Sequence, residues 1–136
     1  MHKIYKFISY FLIPFIYLNT FIRLIKKKED SNRYKERFGF TNLKKNNEKE
    51  VVWIHASSVG EFKSCDLLIN HFCKTHNLLI TTTTKTAADY AVENYGEKII
   101  HQYAPYDVLP WINKFLHFWK PKLVIWIESD IWPNTI

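Results

Sequence analysis

The sequence predicts an α/β domain built on a parallel β-sheet, preceded by a hydrophobic amino-terminal helix. From Val51 to Ile127, four short apolar runs alternate with three stretches of helical period, which is typical of βαβ units. The apolar runs are nearly continuous, as expected for strands that helices cover on both faces. With 136 residues, of which 47% are hydrophobic and 17% aromatic, the chain can bury a core.

The bounds of the predicted elements follow from periodicity and from residues that favour helix ends. Gly96 is placed as the cap of one helix and Pro110 in the first turn of another, positions where each residue is favoured. The predicted strands are Val51–His55, Leu78–Thr83, Lys98–His101 and Leu123–Ile127, and the predicted helices are Glu61–Thr75, Thr86–Tyr95 and Asp107–Trp119.

Residues 7–22 form a hydrophobic segment without a charged side chain, and basic residues flank it on both sides. A membrane-spanning helix needs about 20 apolar residues, so this segment is of borderline length. Three interpretations fit it: a single-pass anchor, a helix in the membrane interface, and an amphipathic helix packed on the domain. Pro14 is expected to kink the helix. We assign residues 1–28 to a membrane anchor or interfacial helix and expect the basic cluster after it to be cytoplasmic.

Residues 29–50 are predicted to form a basic linker with one short helix that ends at Gly39, where glycine suits a left-handed cap. The folded domain, residues 51–136, begins near residue 50, or near residue 31 if the short helix packs on it.

Residues 1–50 carry 12 Lys/Arg against 5 Asp/Glu, a net charge of +7, whereas residues 51–136 carry 7 against 8. A nucleic-acid-binding domain would carry a basic face on its fold. The distribution therefore argues against nucleic acid and suits an anionic membrane.

Polar side chains follow the predicted strands at the carboxyl edge of the sheet, where open α/β folds bind ligands. Glu61 begins the helix after the first strand, and Glu128 follows the fourth strand. Paired carboxylates suit general acid–base work at a sugar hydroxyl. The helix dipole alone would also explain Glu61, and a structural partner would also explain Glu128. The same edge carries Ser57, Ser58, Gly60, Thr83 and Thr84.

No spacing of cysteine and histidine predicts a metal site, and no dinucleotide-binding or phosphate-binding motif occurs. We therefore predict neither a metal nor a cofactor.

Five motifs stand out along the chain: Glu36–Phe40, His55–Glu61, Thr81–Thr84, Tyr103–Asp107 and the segment from Pro121 to Asn134. Together they resemble the 3-deoxy-D-manno-octulosonic acid (Kdo) transferases of lipopolysaccharide synthesis. The resemblance implies a GT-B glycosyltransferase, in which two Rossmann-like domains face a cleft. This chain would be the incomplete, acceptor-side amino-terminal domain. It departs from the family pattern at Lys85–Ala87, and at Asp130, where a second glutamate is usual.

The resemblance implies transfer of Kdo from CMP-Kdo to a lipid A precursor at the cytoplasmic side of the inner membrane. Glu61 matches the family's proposed general base, Glu128 matches a carboxylate implicated in the site, and the neighbouring Ser, Gly and Thr residues would bind substrate. CMP-Kdo would bind mainly a carboxyl-terminal domain that we expect to be missing here. The alternative is a truncated or split-gene product, a membrane-bound half-module without activity alone.

Overall fold

The computed structural model describes residues 2–127 and 132–135. Within these residues the strands form one parallel sheet of order β3-β2-β1-β4, which confirms the predicted α/β class. The strands are β1 (Val51–Ala56), β2 (Asn77–Thr82), β3 (Ile100–Tyr103) and β4 (Leu123–Ile127).

Helices cover both faces of this sheet, as the near-continuous apolar strands predict. On one face, Ile54 and Ile80 are fully buried in a cluster with Phe62. On the other, Trp53 packs in a cluster with Phe115. The helices are α1 (His2–Phe11), α2 (Ile13–Ile25), α3 (Val59–Ser64), α4 (Asp66–Phe72), α5 (Lys85–Tyr95) and α6 (Leu109–Trp119), with 3-10 helices at Tyr34–Phe38 and Gly96–Lys98.

The strand order places a topological switch point between β1 and β4. The chain builds outward from β1 through β2 to β3 and then returns to add β4 on the other side of β1. In open α/β sheets, ligands bind in the crevice outside the carboxyl ends of the strands at such a point. The carboxyl ends of β1 and β4 therefore border the expected ligand site.

The structure divides the predicted helix Glu61–Thr75 into α3 and α4, which meet at Cys65. The hydroxyl of Ser64 donates to the carbonyl of Glu61 at 2.6 Å, and the thiol of Cys65 contacts the same oxygen at 3.4 Å. Side chains that bond a carbonyl of the preceding turn compete with the helical ladder and bend it. This local competition accounts for the break.

The amino-terminal segment forms two helices instead of the single predicted one. Lys3–Phe11 and Ile13–Ile25 are bent by 50° relative to each other, and Pro14 lies in the first turn of α2. Proline has no N–H to continue the ladder, so the turn that contains it favours a new helix start. Among the described residues no single helix has the length and apolarity to span a bilayer, although the bent pair meets that criterion by length and composition.

The 3-10 helix Tyr34–Phe38 packs against the outer edge of β3. Arg33 donates to the carbonyl of His101 at 2.8 Å, and Glu36 accepts the N–H of Tyr103 at 2.8 Å. Arg33 and Glu36 also pair with each other through two hydrogen bonds of 3.0 Å. The pair thus bonds backbone groups that an edge strand would otherwise expose. These contacts attach the 3-10 helix to the sheet, and both expected domain boundaries, near residue 31 and near residue 50, stay predictions.

Gly39 ends this short helix in the left-handed conformation, with φ of 76°, as the sequence predicts. A Cβ at this position would collide with the backbone carbonyl of Trp111 on α6. Glycine is therefore required both for the backbone conformation and for the close approach of α6.

Candidate active site at the carboxyl edge of the sheet

Glu61 lies in the first turn of α3, directly after β1, and forms a capping box with Ser58. Its Oε2 atom accepts the backbone N–H of Ser57 at 2.7 Å and that of Ser58 at 3.1 Å. The hydroxyl of Ser58 in turn accepts the N–H of Glu61 at 3.4 Å. Within the described residues, no hydrogen bond reaches the second carboxylate oxygen, Oε1. One oxygen therefore fixes the side chain, and the other is available to a substrate.

The loops after β1 and β2 are bonded to each other at this edge. The carbonyl of Ser57 accepts the N–H groups of Thr83 at 3.2 Å and Thr84 at 3.4 Å. The structure thus brings Ser57, Ser58 and Glu61 together with the two threonines, as predicted from their positions after parallel strands. Their predicted role in substrate binding remains a prediction.

Thr84 and Thr83 have different surroundings. The Thr84 side chain caps α5 by accepting the N–H of Ala87 at 3.2 Å. The Thr83 hydroxyl oxygen is buried, and no described group bonds it. Its carbonyl accepts a hydrogen bond from Arg37. A capping function therefore accounts for Thr84. No contact among the described residues accounts for the buried hydroxyl of Thr83.

Gly60 is exposed in the first turn of α3, and its backbone does not need glycine. Among the described residues, a Cβ placed there would meet only the Ser58 hydroxyl oxygen, at 4.0 Å. Neither packing nor backbone conformation explains the residue. The missing side chain leaves open space next to Glu61, which permits close approach of a ligand.

His55 lies at the end of β1 and is fully buried. Its Nδ1 lies 2.8 Å from the Thr81 hydroxyl, which also accepts the indole N–H of Trp53 at 2.8 Å. The rings of Trp126 and Trp132 pack on the imidazole, with centroids 4.3 and 5.0 Å away. Burial lowers the pKa of His55 to about 4, so the ring is neutral near pH 7. It is a core histidine beside the candidate site.

A buried ion-pair network below this edge was not predicted from the sequence. Glu29 accepts from Arg23 at 3.1 Å and from Arg37 at 3.0 Å. The guanidinium of Arg37 also lies 4.7 Å from the centre of the Tyr103 ring. The network ties the segment after α2 to the end of β2 through the Thr83 carbonyl. In the sequence, only Gly39, which ends the 3-10 helix Tyr34–Phe38, indicated how this segment packs on the domain.

Asp107 holds the turn that follows β4. Its carboxylate accepts the N–H of Asn134 at 3.2 Å and the hydroxyl of Thr135 at 3.0 Å. Its carbonyl accepts the side-chain amide of Asn134 at 2.7 Å. The hydroxyl of Tyr5, on α1, donates to the same carboxylate at 2.9 Å. Two of the sequence motifs thus contact each other through Asp107, and α1 contacts the same residue.

Glu128 and Asp130 lie outside the described residues, so the predicted pairing of Glu128 with Glu61 is not assessed. Among residues 2–127 and 132–135, no three metal-ligating side chains come together as a metal site.

Helices on both faces and a sheet order with one switch point define a doubly wound α/β domain, and the Glu61 carboxylate beside that point marks a candidate ligand site at its carboxyl edge. Residues 32–136 match the family model described as 3-Deoxy-D-manno-octulosonic-acid transferase (kdotransferase). The chain therefore belongs to the Kdo transferase family.

Curated proteins give the same assignment. The whole chain is 37% identical to a 3-deoxy-D-manno-octulosonic acid transferase of Rickettsia bellii and covers 33% of it. It is 31% identical, again over its whole length, to a probable mitochondrial 3-deoxy-D-manno-octulosonic acid transferase of Arabidopsis thaliana and covers 31% of that protein. A Haemophilus influenzae transferase of the same name is 30% identical over 82% of the chain, which covers 27% of it. The chain thus spans about a third of the length of these relatives.

Proposed function

We propose that this chain is the acceptor-side part of an enzyme that transfers Kdo from CMP-Kdo to a lipid A precursor in lipopolysaccharide synthesis. Membership of the Kdo transferase family supports the reaction class. The GT-B architecture, CMP-Kdo as the donor and a lipid A precursor as the acceptor go beyond family membership and are what we propose.

The observation that carries the mechanism is the asymmetric bonding of the Glu61 carboxylate. Two backbone N–H groups hold Oε2, and within the described residues Oε1 has no hydrogen bond. In the proposed reaction, Oε1 takes the proton from an acceptor hydroxyl as that oxygen attacks the anomeric carbon of Kdo. The bond from that carbon to the phosphate oxygen of CMP breaks, and CMP leaves with the electron pair. A fixed carboxylate at a switch point suits this general-base role.

The substrate-binding role falls to the residues around Glu61. Ser57, Ser58 and Gly60 form the turn before it, and Thr83 and Thr84 are bonded to that turn. Gly60 leaves room for the acceptor sugar. Glu128, which follows β4 in the sequence, would also support the site.

Membrane contact through α1 and α2 would bring a lipid acceptor to this site. Phe7 and Phe11 on α1 are 76% and 70% exposed, and Phe21 on α2 is 61% exposed. Exposed apolar patches of this kind mark interaction surfaces, and flanking lysines favour an anionic membrane. The Tyr5–Asp107 hydrogen bond joins α1 to the rim of the site. We place the protein at the cytoplasmic side of the inner membrane.

A donor-side domain is needed for turnover in this proposal, because CMP-Kdo would bind across the cleft. The test supplies CMP-Kdo and a lipid A precursor to the 136-residue chain, alone and together with a donor-side domain taken from a relative of full length. Kdo transfer is expected only with the donor-side domain. Turnover by the chain alone would contradict its role as a half-module, and no turnover by a folded combination would contradict the proposed reaction.

A further inference from the structure

A groove of about 870 Å³ lies between α2 and the segment that follows it, away from Glu61. This volume falls within the range of about 300–1,000 Å³ that is usual for small-molecule sites. Its rim carries Arg33 and Lys35. Glu36, which also lines the groove, is paired with Arg33. The apolar lining includes Tyr17, Phe21, Leu24, Phe38, Phe40 and Leu43.

Aromatic packing fixes the floor of this groove. The ring of Tyr17 stacks on Phe38 with centroids 4.7 Å apart, and Trp111 meets Phe38 edge-on at 4.8 Å. Below them the hydroxyls of Thr20 and Tyr106 are hydrogen-bonded at 3.0 Å. Because α2, the 3-10 helix and α6 each contribute a ring to this floor, the groove is formed without a ligand.

The outer wall of the groove belongs to an apolar helix surface. Phe21 lines the groove and is largely exposed, and Leu18 and Ile25 on the same helix are 56% and 66% exposed. The one charged residue of α2, Arg23, is paired with Glu29. A helix that docks on a protein surface carries polar residues around an apolar stripe, whereas the exposed side chains of α2 are apolar except for Asn19. Lipid therefore fits the surface better than a folded partner.

Charge at the ends of the groove selects the headgroup. Lys35 is exposed at its rim, and Lys26, Lys27 and Lys28 follow the end of α2, close in sequence to the lining residue Leu24. Lysines beside an apolar membrane-facing helix attract anionic headgroups.

We propose that this groove binds one acyl chain of an anionic lipid, with the headgroup against Lys35 and the lysines that follow α2. The proposal rests on the membrane-facing role of α2 within the proposed function, and it does not depend on sugar transfer. A lipid bound in this groove would hold the protein on the membrane through α2. The groove lies beside the hydrogen bond between Thr20 of α2 and Tyr106.

The test titrates the 136-residue chain with dioctanoyl-phosphatidylglycerol below its critical micelle concentration, so that single lipids and not a membrane surface are presented. Saturable binding of one lipid per chain is expected. Phe21→Ser should weaken this binding about tenfold, because it removes a large apolar contact from the groove wall. Leu18→Ser is the matched control, since it removes a similarly exposed apolar side chain from α2 without touching the groove, and it should leave the affinity unchanged.

Near-ultraviolet circular dichroism verifies that both variants keep the native fold, as expected for exposed positions. Binding that does not saturate, or equal weakening by the two variants, would overturn the groove as the site. Equal affinity for dioctanoyl-phosphatidylcholine would overturn the anionic headgroup. A dimer of the chain that Phe21→Ser dissociates would show a second copy in the groove and would also overturn the proposal. Loss of Kdo transfer with lipid binding intact would affect only the proposed function.

Discussion

The carboxylate of Glu29 and the guanidinium of Arg37 form an ion pair of 3.0 Å in which the side chains are 0% and 4% exposed. Arg37 also donates to the carbonyl of Thr83 at the end of β2. The pair therefore joins the segment after the amino-terminal helices to the edge of the sheet that carries the candidate active site.

Glu29→Gln should strongly destabilise the fold, because it leaves the buried charge of Arg37 without its partner. A loss of about 3–5 kcal/mol in the free energy of unfolding is expected, measured by urea denaturation. Glu50→Gln is the control, since Glu50 pairs with Lys122 at 2.9 Å on the exposed surface, and it should leave the urea midpoint unchanged. Similar midpoints for the two variants would show that the buried pair has no special role.

Stability should fall as the pH is lowered below about 6.5. Burial, together with the charges of Arg33 and Arg37, lowers the pKa of His101 to about 3, and burial lowers that of His55 to about 4. An unfolded chain takes up these protons near pH 6.5, whereas the folded chain takes them up only near pH 3–4, so protonation favours unfolding in between.

The measurement is the urea midpoint between about pH 7.5 and 4.5 for the native chain and for His101→Gln. The variant should lose stability less steeply with falling pH, because one of the two histidines no longer titrates. An identical pH dependence would mean that His101 is not held neutral by its contacts with Arg33 and Thr82.

Gly60→Ala separates stability from function. Alanine fits the open space at this position and has a higher helix propensity than glycine, so stability should rise by about 0.5–1 kcal/mol. Activity with the lipid acceptor should fall, because the added methyl lies next to Glu61. A variant that is more stable and fully active would remove Gly60 from the substrate-binding residues.

Asp107→Asn should loosen the turn that contains Asn134 and Thr135. The Asn134 amide donates to the Asp107 carboxylate, and hydrogen bonds to charged groups contribute about 1.5–3 kcal/mol, so its hydrogen exchange should be about 10- to 100-fold faster. Tyr5→Phe removes only the contact of α1 with the same carboxylate and should leave this exchange unchanged. Faster exchange in both variants would mean that α1 also holds the turn.

The order of the strands along the chain and the meeting of the segments after β1 and β2 at one edge were predictable, because both depend on local patterns. Four apolar runs specify strands, and in a parallel sheet the residues that follow them share one edge. The capping box of Ser58 and Glu61 is also local, with the spacing that such boxes require.

Other features depend on contacts between residues distant in sequence. Arg37 contacts Thr83 and Tyr103, 46 and 66 positions away, and no periodicity signals such contacts. The bend at Leu12 is local and agrees with the kink expected from Pro14. The break at Cys65 is also local, but the apolar pattern continues across it, so the sequence predicted one helix where the structure has α3 and α4.

The central claim is that Glu61 acts as a base and not only as a helix cap. Glu61→Gln tests it, because the amide oxygen of glutamine can still accept the N–H groups of Ser57 and Ser58 and complete the capping box. The experiment measures single-turnover rates of Kdo transfer by the chain combined with a donor-side domain. It compares the native chain with the Glu61→Gln variant after equal urea midpoints have been verified.

Asp66→Asn is the matched control for loss of a carboxylate. Asp66 lies in the first turn of α4, as Glu61 does in that of α3, and its carboxylate accepts the hydroxyl of Tyr95 at 2.8 Å instead of facing the site. The same change of a carboxylate to an amide should therefore leave the rate of transfer near that of the native chain.

The account predicts that Glu61→Gln lowers the rate of transfer at least about 100-fold at unchanged stability, as expected for loss of a general base. A near-normal rate for a folded Glu61→Gln variant would contradict the account and reduce Glu61 to its capping role.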